Sequence, residues 1–119
     1  MRESKLEEKF RKMVEQAGGR AYKFVSPGND GVPDRLVILP GGRIGFVELK
    51  QEGERPRKLQ KFRMQELDKL GCYTAVVDSV MAGEAVIGEM LLQTPDTHKR
   101  DSLFLEMVNR SPGKEGMIL

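Results

Sequence analysis

A predicted β-hairpin carries two carboxylates and a lysine at its open end. Asp34 begins the first strand of the hairpin, and Glu48 and Lys50 end the second. Side chains alternate between the two faces of a strand, so Glu48 and Lys50 lie on the same face. Two carboxylates held close together repel each other unless a cation joins them. A divalent cation such as Mg²⁺ takes oxygen ligands, and this spacing therefore predicts a metal site.

The turn between the two strands decides whether Asp34 belongs to this group. A three-residue loop over residues 40–42 places Asp34 directly opposite Glu48, with Cβ atoms about 5 Å apart. A two-residue loop would instead pair Asp34 with Leu49 and put the two carboxylates on opposite faces. Three-residue loops with a glycine in the left-handed conformation are common in hairpins, and Gly42 can take that position. The sequence therefore favours the register that brings the carboxylates together.

The length and composition of the chain fit one domain with a modest core. The chain has 119 residues, of which 39% are hydrophobic, and this is enough for a single buried core. No apolar run could cross a membrane and no signal peptide opens the chain, so we expect a cytoplasmic protein. The single cysteine, Cys72, excludes an internal disulfide framework. The single histidine, His98, lies in a polar stretch, so catalysis does not depend on a histidine triad.

A group of basic residues follows the hairpin, although the net charge of the chain is only +2. A basic segment next to a metal site suits a polyanionic substrate. Acidic residues are interspersed with the basic ones, so charge alone favours an ordinary solvated helix face. The basic residues are Lys50, Arg55, Arg57, Lys58, Lys61 and Arg63.

The spacing of apolar residues, glycines and prolines predicts the element order α-β-β-β-α-β. The hairpin is apolar on both faces, which is typical of a sheet covered by helices on both sides. In the second helix, an apolar stripe includes Leu59, Phe62 and Leu70. The predicted elements are a helix over 3–17, strands over 20–25, 34–39 and 43–50, a helix over 57–70 and a strand over 72–77.

The pattern weakens in the last third of the chain. Residues 80–92 predict a third helix, and residues 101–109 predict a further helical piece. The apolar residues of this last piece could contact a partner subunit or fold back onto their own domain, and both alternatives stay open. We therefore divide the chain into a core over 1–80 and a C-terminal helical extension over 81–119, a possible dimerisation element.

The order of these motifs resembles the VRR-NUC domain, the virus-type replication-repair nuclease family of the PD-(D/E)xK nuclease superfamily. The resemblance is carried by Gly31-Val32-Pro33-Asp34, by Glu48-Leu49-Lys50 and by Gln60 in the following helix. The opening Glu3-Ser4-Lys5-Leu6-Glu7 of the first helix adds to it. The likeness covers residues 3–80 and is to the small stand-alone phage members of the family.

The resemblance implies an α/β fold, with a restriction-endonuclease-like core in which helices flank a mixed sheet. It also implies hydrolysis of phosphodiester bonds in DNA. Asp34, Glu48 and the backbone carbonyl of Leu49 would hold Mg²⁺ or Mn²⁺. Glu3 would reach the metal from the first helix, and Glu7 is the alternative for this role. The sequence does not choose between these two glutamates.

Further contacts follow from the same resemblance. Lys50 would orient or help to deprotonate the attacking water and would contact the phosphate. Gln60 would donate or accept a hydrogen bond at the phosphate or the water. Nonspecific contacts to the DNA backbone would come from Arg57, Lys58 and Lys61.

We therefore expect a small metal-dependent DNA endonuclease, active as a homodimer in phage replication or repair in the cytoplasm of a bacterial host. A branched substrate such as a Holliday junction or a flap fits best, because no recognition helix, zinc finger or separate base-reading domain is evident. The alternatives are a catalytically weak DNA-binding module with a nuclease fold and a sequence-specific restriction-type endonuclease. An RNA substrate also stays open.

Overall fold

A four-stranded mixed sheet with three helices forms the fold. The computed structural model describes residues 1–94 and residue 109. The predicted order α-β-β-β-α-β is confirmed, and a third helix follows it as expected. The predicted helical piece over 101–109 lies outside the described residues apart from its last position. The elements are α1 (Glu3–Gln16), β1 (Arg20–Lys23), β2 (Arg35–Leu39), β3 (Arg43–Leu49), α2 (Lys58–Lys69), β4 (Tyr73–Val77) and α3 (Val80–Leu91).

The strands lie in the order β1-β2-β3-β4; β2 is antiparallel to both β1 and β3, and β4 is parallel to β3. A parallel pair needs a crossover connection, and α2 provides it. Leu39 pairs with Arg43, so the predicted three-residue loop is confirmed. Gly41 and Gly42 both have positive φ, +86° and +71°, which other residues adopt only with strain.

One face of the sheet is covered by α1 and α3. Leu6, Phe10 and Val14 recur every four residues along α1, so they form one stripe that packs on this face. At Gly45 the absence of a side chain lets α3 approach, because a Cβ there would lie 2.8 Å from Met90 Cε. The helix α3 falls within the predicted C-terminal extension, and it joins the same core. The buried core consists of Leu6, Phe10, Val14, Ala21, Val37, Leu39, Val47, Leu49, Val77, Val86, Ile87 and Met90.

Helices flank the mixed sheet as predicted, but α2 covers the opposite face only in part. Five apolar side chains share this face, and none of them belongs to the buried core. Among them, Tyr22 is 55% exposed and Ile44 is 50% exposed. Although α2 lies on this side, it packs chiefly against β4, which leaves the first three strands open. We call this surface the open sheet face; it consists of Tyr22, Leu36, Ile38, Ile44 and Phe46.

The orientation of α2 also differs from its predicted stripe. Phe62 and Leu70 are exposed, whereas Gln60 is the buried residue of the helix. The row that faces the sheet runs from Gln60 through Met64 to Leu67, because a hydrogen bond from Gln60 to β3 fixes the rotation of the helix. Within the part of the chain that the structure covers, no helix is long and apolar enough to cross a membrane.

Candidate active site

The ends of β2 and β3 bring Asp34, Glu48 and Lys50 together. Continuing the register one residue beyond the pair Arg35–Val47 places Asp34 opposite Glu48, as predicted. Phe24, the residue after β1, donates its N–H to the Asp34 carbonyl at 2.7 Å, so the main chain of Asp34 faces the β1 side. Asp34 and Glu48 therefore form a non-hydrogen-bonded pair, in which the two residues exchange no backbone hydrogen bonds and their Cα atoms lie closer together.

The backbone of Leu49 completes this end of the hairpin. Its N–H donates to Asp34 Oδ2 at 2.9 Å, which fixes the carboxylate against β3. The N–H and C=O of a residue in such a ladder face the same neighbouring strand. The position opposite Leu49 is occupied by Pro33, which has no N–H to donate. The Leu49 carbonyl therefore faces the Asp34 side without a ladder partner, as a metal ligand would require.

Glu48 is the most deeply buried carboxylate of the site, with 2% of its surface exposed. Its Oε2 accepts a hydrogen bond from Gln60 Nε2 at 2.7 Å and lies 3.4 Å from Lys50 Nζ. Its Oε1 is buried and has no hydrogen-bond partner. Burial, followed by the charge of Asp34, raises the pKa of Glu48 to about 7, although Lys50 opposes the shift.

Gln60 has partners other than the phosphate or water that we expected. Its Oε1 accepts the Arg57 N–H at 2.8 Å, and its Nε2 donates to Glu48. Both ends of the amide are therefore engaged. Gln60 links the first turn of α2 to Glu48 and orients that carboxylate, which makes it a positioning residue in this arrangement.

The structure separates the two candidate glutamates of α1. Glu7 pairs with Arg35, and it faces the covered side of the sheet. Glu3 lies one turn earlier, where partial burial and then the charge of Asp34 raise its pKa, while Lys50 lowers it. Glu3 is thus the helix glutamate whose electrostatic surroundings include the site.

Arg35 is a residue that the sequence analysis missed. Its guanidinium donates to Glu7 and, at 3.0 Å, to the Ala21 carbonyl, while its Nε is buried without a hydrogen-bond partner. Its position directly after Asp34, in an otherwise apolar strand, is the pattern that could have drawn attention to it. A charged residue at a covered strand position needs a partner.

The basic residues proposed for DNA contacts lie at the start of α2. Arg57, Lys58 and Lys61 are all exposed there. A groove beside them is lined in part by Gly31 and Leu59. Gly31 has φ +90°, and a Cβ at this position would lie 2.8 Å from Leu59 Cγ. Only glycine allows the loop before Asp34 to approach α2 this closely.

The donor atoms at the strand ends fit a hard divalent cation. Asp34, Glu48 and the Leu49 carbonyl supply only oxygen, and the unpartnered Oε1 of Glu48 is available for a ligand. Among residues 1–94, no three His, Cys, Asp or Glu side chains form a ready cluster for a metal ion, and Glu3 therefore does not complete one. Mg²⁺ commonly takes one or two carboxylates and keeps several waters, which this donor set satisfies.

A mixed sheet with paired acids and a lysine at two strand ends is the architecture of an α/β nuclease. A solved structure described as a VRR_NUC domain matches with a TM-score of 0.69 and 33% identity, over 72% of this chain and 94% of that one. "Putative nuclease p44" of Acyrthosiphon pisum secondary endosymbiont phage 1 is 49% identical over 79 residues, which are 66% of this chain and 85% of that protein. No protein-family model matches the chain. The two relatives nevertheless show that the chain belongs to the VRR-NUC family.

Proposed function

We propose that this VRR-NUC protein is a deoxyribonuclease that depends on Mg²⁺ or Mn²⁺. The observation that carries the proposal is the closely spaced pair of Asp34 and Glu48, with Lys50 beside it and Glu48 Oε1 free of any hydrogen bond. A buried carboxylate without a full set of partners is costly for a fold. Its retention next to a second carboxylate is accounted for if a cation binds there.

Each residue of the strand ends has a role in this proposal. Asp34, Glu48 and the Leu49 carbonyl would hold the cation, and Gln60 fixes the orientation of Glu48. When bound, the cation supplies a water of lowered pKa and neutralises charge on the scissile phosphate. The Lys50 ammonium would orient the attacking water and contact a phosphate oxygen.

The residues around the site support a substrate that is bound through its phosphate backbone. Exposed Arg57, Lys58 and Lys61 lie next to the positioning residue Gln60 at the start of α2. Such contacts position a duplex without reading its sequence. We therefore propose branched DNA, such as a Holliday junction or a flap, and a homodimer whose two sites cut two strands. The relative named "Putative nuclease p44" is a phage protein, which supports a role in phage DNA metabolism inside the bacterial host.

Cleavage of labelled four-way junction, flap, duplex and single-stranded DNA with Mg²⁺, Mn²⁺ or EDTA tests this proposal. Asp34→Asn and Lys50→Met are expected to lower the rate roughly a hundredfold or more while DNA binding persists. Glu84→Gln, on the exposed side of α3, is the matched control and should cleave like the wild type. If no substrate is cut and DNA binding is unchanged in every variant, the protein is a binding module. Faster cutting of RNA, or cutting at one short sequence, would overturn the proposed substrate.

A further inference from the structure

The open sheet face is an apolar surface in a sheet whose other face carries the buried core under α1 and α3. The strand register places Tyr22 beside Leu36, Leu36 beside Phe46, and Ile38 beside Ile44. Phe46 also packs edge to face against Phe24, with ring centroids 5.3 Å apart. A contiguous apolar surface of this kind on a small domain marks an interaction site.

The continuous described part of the chain ends close to the hairpin turn. After α3, the Gln93 carbonyl accepts a hydrogen bond from Arg43 Nε at 3.0 Å, and Arg43 Nη1 also donates to the Pro40 carbonyl at 2.6 Å. These bonds hold the chain at the hairpin end of the sheet. Ile44 is the neighbour of Arg43 and points to the opposite face, since side chains alternate along β3. Gln93 therefore lies at the hairpin end of the sheet on its covered side, one strand position away from the open sheet face.

The segment that follows has the composition to cover the face. Residues 95–102 are almost entirely polar, and residues 103–108 contain five apolar side chains in six positions. Eight extended residues span up to about 26 Å, and two packed layers of a protein lie about 10 Å apart. The polar stretch is thus long enough to pass around the rim of the sheet and deliver the apolar stretch to its open side.

The two relatives indicate that this chain has extra length. The likeness to the solved VRR_NUC domain covers 94% of that domain but only 72% of this chain. The likeness to "Putative nuclease p44" covers 85% of that protein but only 66% of this chain. More than a quarter of this chain therefore lies outside each likeness.

We infer that residues 103–108 dock on the open sheet face of their own molecule and cover Tyr22, Ile44 and Phe46. The tether from Gln93 is short, so the effective concentration of the segment at this face is in the millimolar range. A second copy of the chain reaches such a concentration only in crowded solution. Docking in the same molecule also gives the apolar hairpin the cover on both faces that its composition calls for.

Disulfide trapping in the full-length protein tests this inference without any use of the active site. In a Cys72→Ser background, Ile44→Cys is combined with Leu105→Cys. The matched control combines Leu105→Cys with Met81→Cys, which is 79% exposed at the other end of the molecule on α3. An undocked tail would reach both positions. We expect an intramolecular disulfide to form at least about tenfold faster in the variant with Ile44→Cys than in the control variant.

Two results would overturn the inference. Equal trapping rates for the two pairs would show that the segment does not dock on this face. Disulfide-linked dimers at micromolar protein, resolved by non-reducing electrophoresis and mass spectrometry, would show that it docks on a second copy. As an independent readout, Phe104→Ser with Leu105→Ser should increase the binding of an apolar dye severalfold, whereas unchanged dye binding contradicts docking. All of these readouts are unaffected by loss of nuclease activity.

Discussion

The guanidinium of Arg35 donates a hydrogen bond to the carboxylate of Glu7, and this ion pair joins α1 to the strand that carries Asp34. Both side chains are largely buried, with 11% of Arg35 and 29% of Glu7 exposed. Glu3, whose pKa the charge of Asp34 helps to raise, lies one helical turn before Glu7, so the pair anchors α1 next to the turn that carries Glu3. The contact therefore connects the packing of a helix to the arrangement of the site.

Glu7→Gln is expected to lower the free energy of unfolding by about 1–2 kcal/mol, because it leaves the mostly buried Arg35 charge without its partner. Thermal unfolding measures this loss. Glu8→Gln is the control, since Glu8 is on the same helix and makes only an exposed pair with Lys12. Such exposed pairs contribute little, so the control should unfold like the wild type.

The same substitution tests whether Glu7 acts on catalysis through Glu3. If Glu3 acts at the site, Glu7→Gln should slow cleavage in the wild-type background, because Glu3 then loses its placement. In a Glu3→Gln background it should cause no further loss of rate, although it still lowers stability. Equal rate losses in both backgrounds would show that Glu7 has a structural role only.

The pH dependence of stability follows from the pKa of Glu48. In the folded protein this pKa is about 7, whereas the ordinary value is 4.5. The folded state therefore holds the proton more tightly than the unfolded chain does. The stability gained from this proton is fully present below pH 4.5 and is lost as the pH rises through about 7.

We expect the metal-free protein to lose about 3 kcal/mol of stability between pH 4.5 and 8 from this group. Denaturant unfolding at several pH values in EDTA measures the slope, and Glu48→Gln should flatten it. Mg²⁺ should restore most of the stability at pH 8, because the cation replaces the proton at the carboxylate. A slope that persists unchanged in Glu48→Gln would refute the assignment to Glu48.

The hairpin could be predicted from the sequence because its determinants are local. The apolar alternation gave the strands, and the glycines at 41 and 42 selected the loop that places Asp34 opposite Glu48. The proline before Asp34 likewise explains the ladder gap at Leu49. Each of these effects acts within a few residues along the chain, so no tertiary information was required.

The remaining features depend on contacts between distant parts of the chain. Gln60 lies 12 residues from Glu48, and Arg35 lies 28 residues from Glu7. Helical periodicity predicted that Phe62 lies on the buried side of α2. In the structure, the hydrogen bond from Gln60 to Glu48 holds Gln60 on that side, and Phe62 is exposed. Polar contacts of this kind leave no periodic trace in a single sequence. The open sheet face was missed because its apolar residues are typical of a strand that is covered on both faces.

Gln60→Glu separates the two contacts of this side chain. The new carboxylate can still accept the Arg57 N–H, but it cannot donate to Glu48 Oε2 unless it is protonated. Repulsion between the two carboxylates should raise the pKa of Glu48 further. We expect the cleavage rate at pH 7 to fall about 10–100-fold and its acid limb to move to higher pH.

A pH–rate profile for Gln60→Glu checks this expectation. Gln65→Glu adds the same charge at an exposed position of α2 and serves as the control. A lower rate with an unmoved acid limb would mean that Gln60 contacts the substrate directly, as the family resemblance implied. Gln60→Leu removes both contacts and should lower stability as well as rate.

Salt dependence of DNA binding tests the basic start of α2. Each of Lys58→Ala and Lys61→Ala, in the Asp34→Asn background, should reduce the slope of log affinity against log salt by about 0.9, because each lysine neutralises one phosphate. The loss of affinity should be similar for every DNA sequence, since phosphate contacts carry no sequence information. Fluorescence anisotropy with a labelled four-way junction at several salt concentrations measures the slope.

Lys69→Ala is the matched control, because Lys69 is an exposed lysine at the other end of the same helix. It should leave both the slope and the affinity unchanged if the DNA backbone lies at the end of α2 that contacts Glu48. An equal change in slope for all three lysines would mean that the duplex runs along the whole helix. If the slope is unchanged in Lys58→Ala and Lys61→Ala, the DNA binds elsewhere on the protein. The proposed phosphate contact of Arg57 would then be wrong as well.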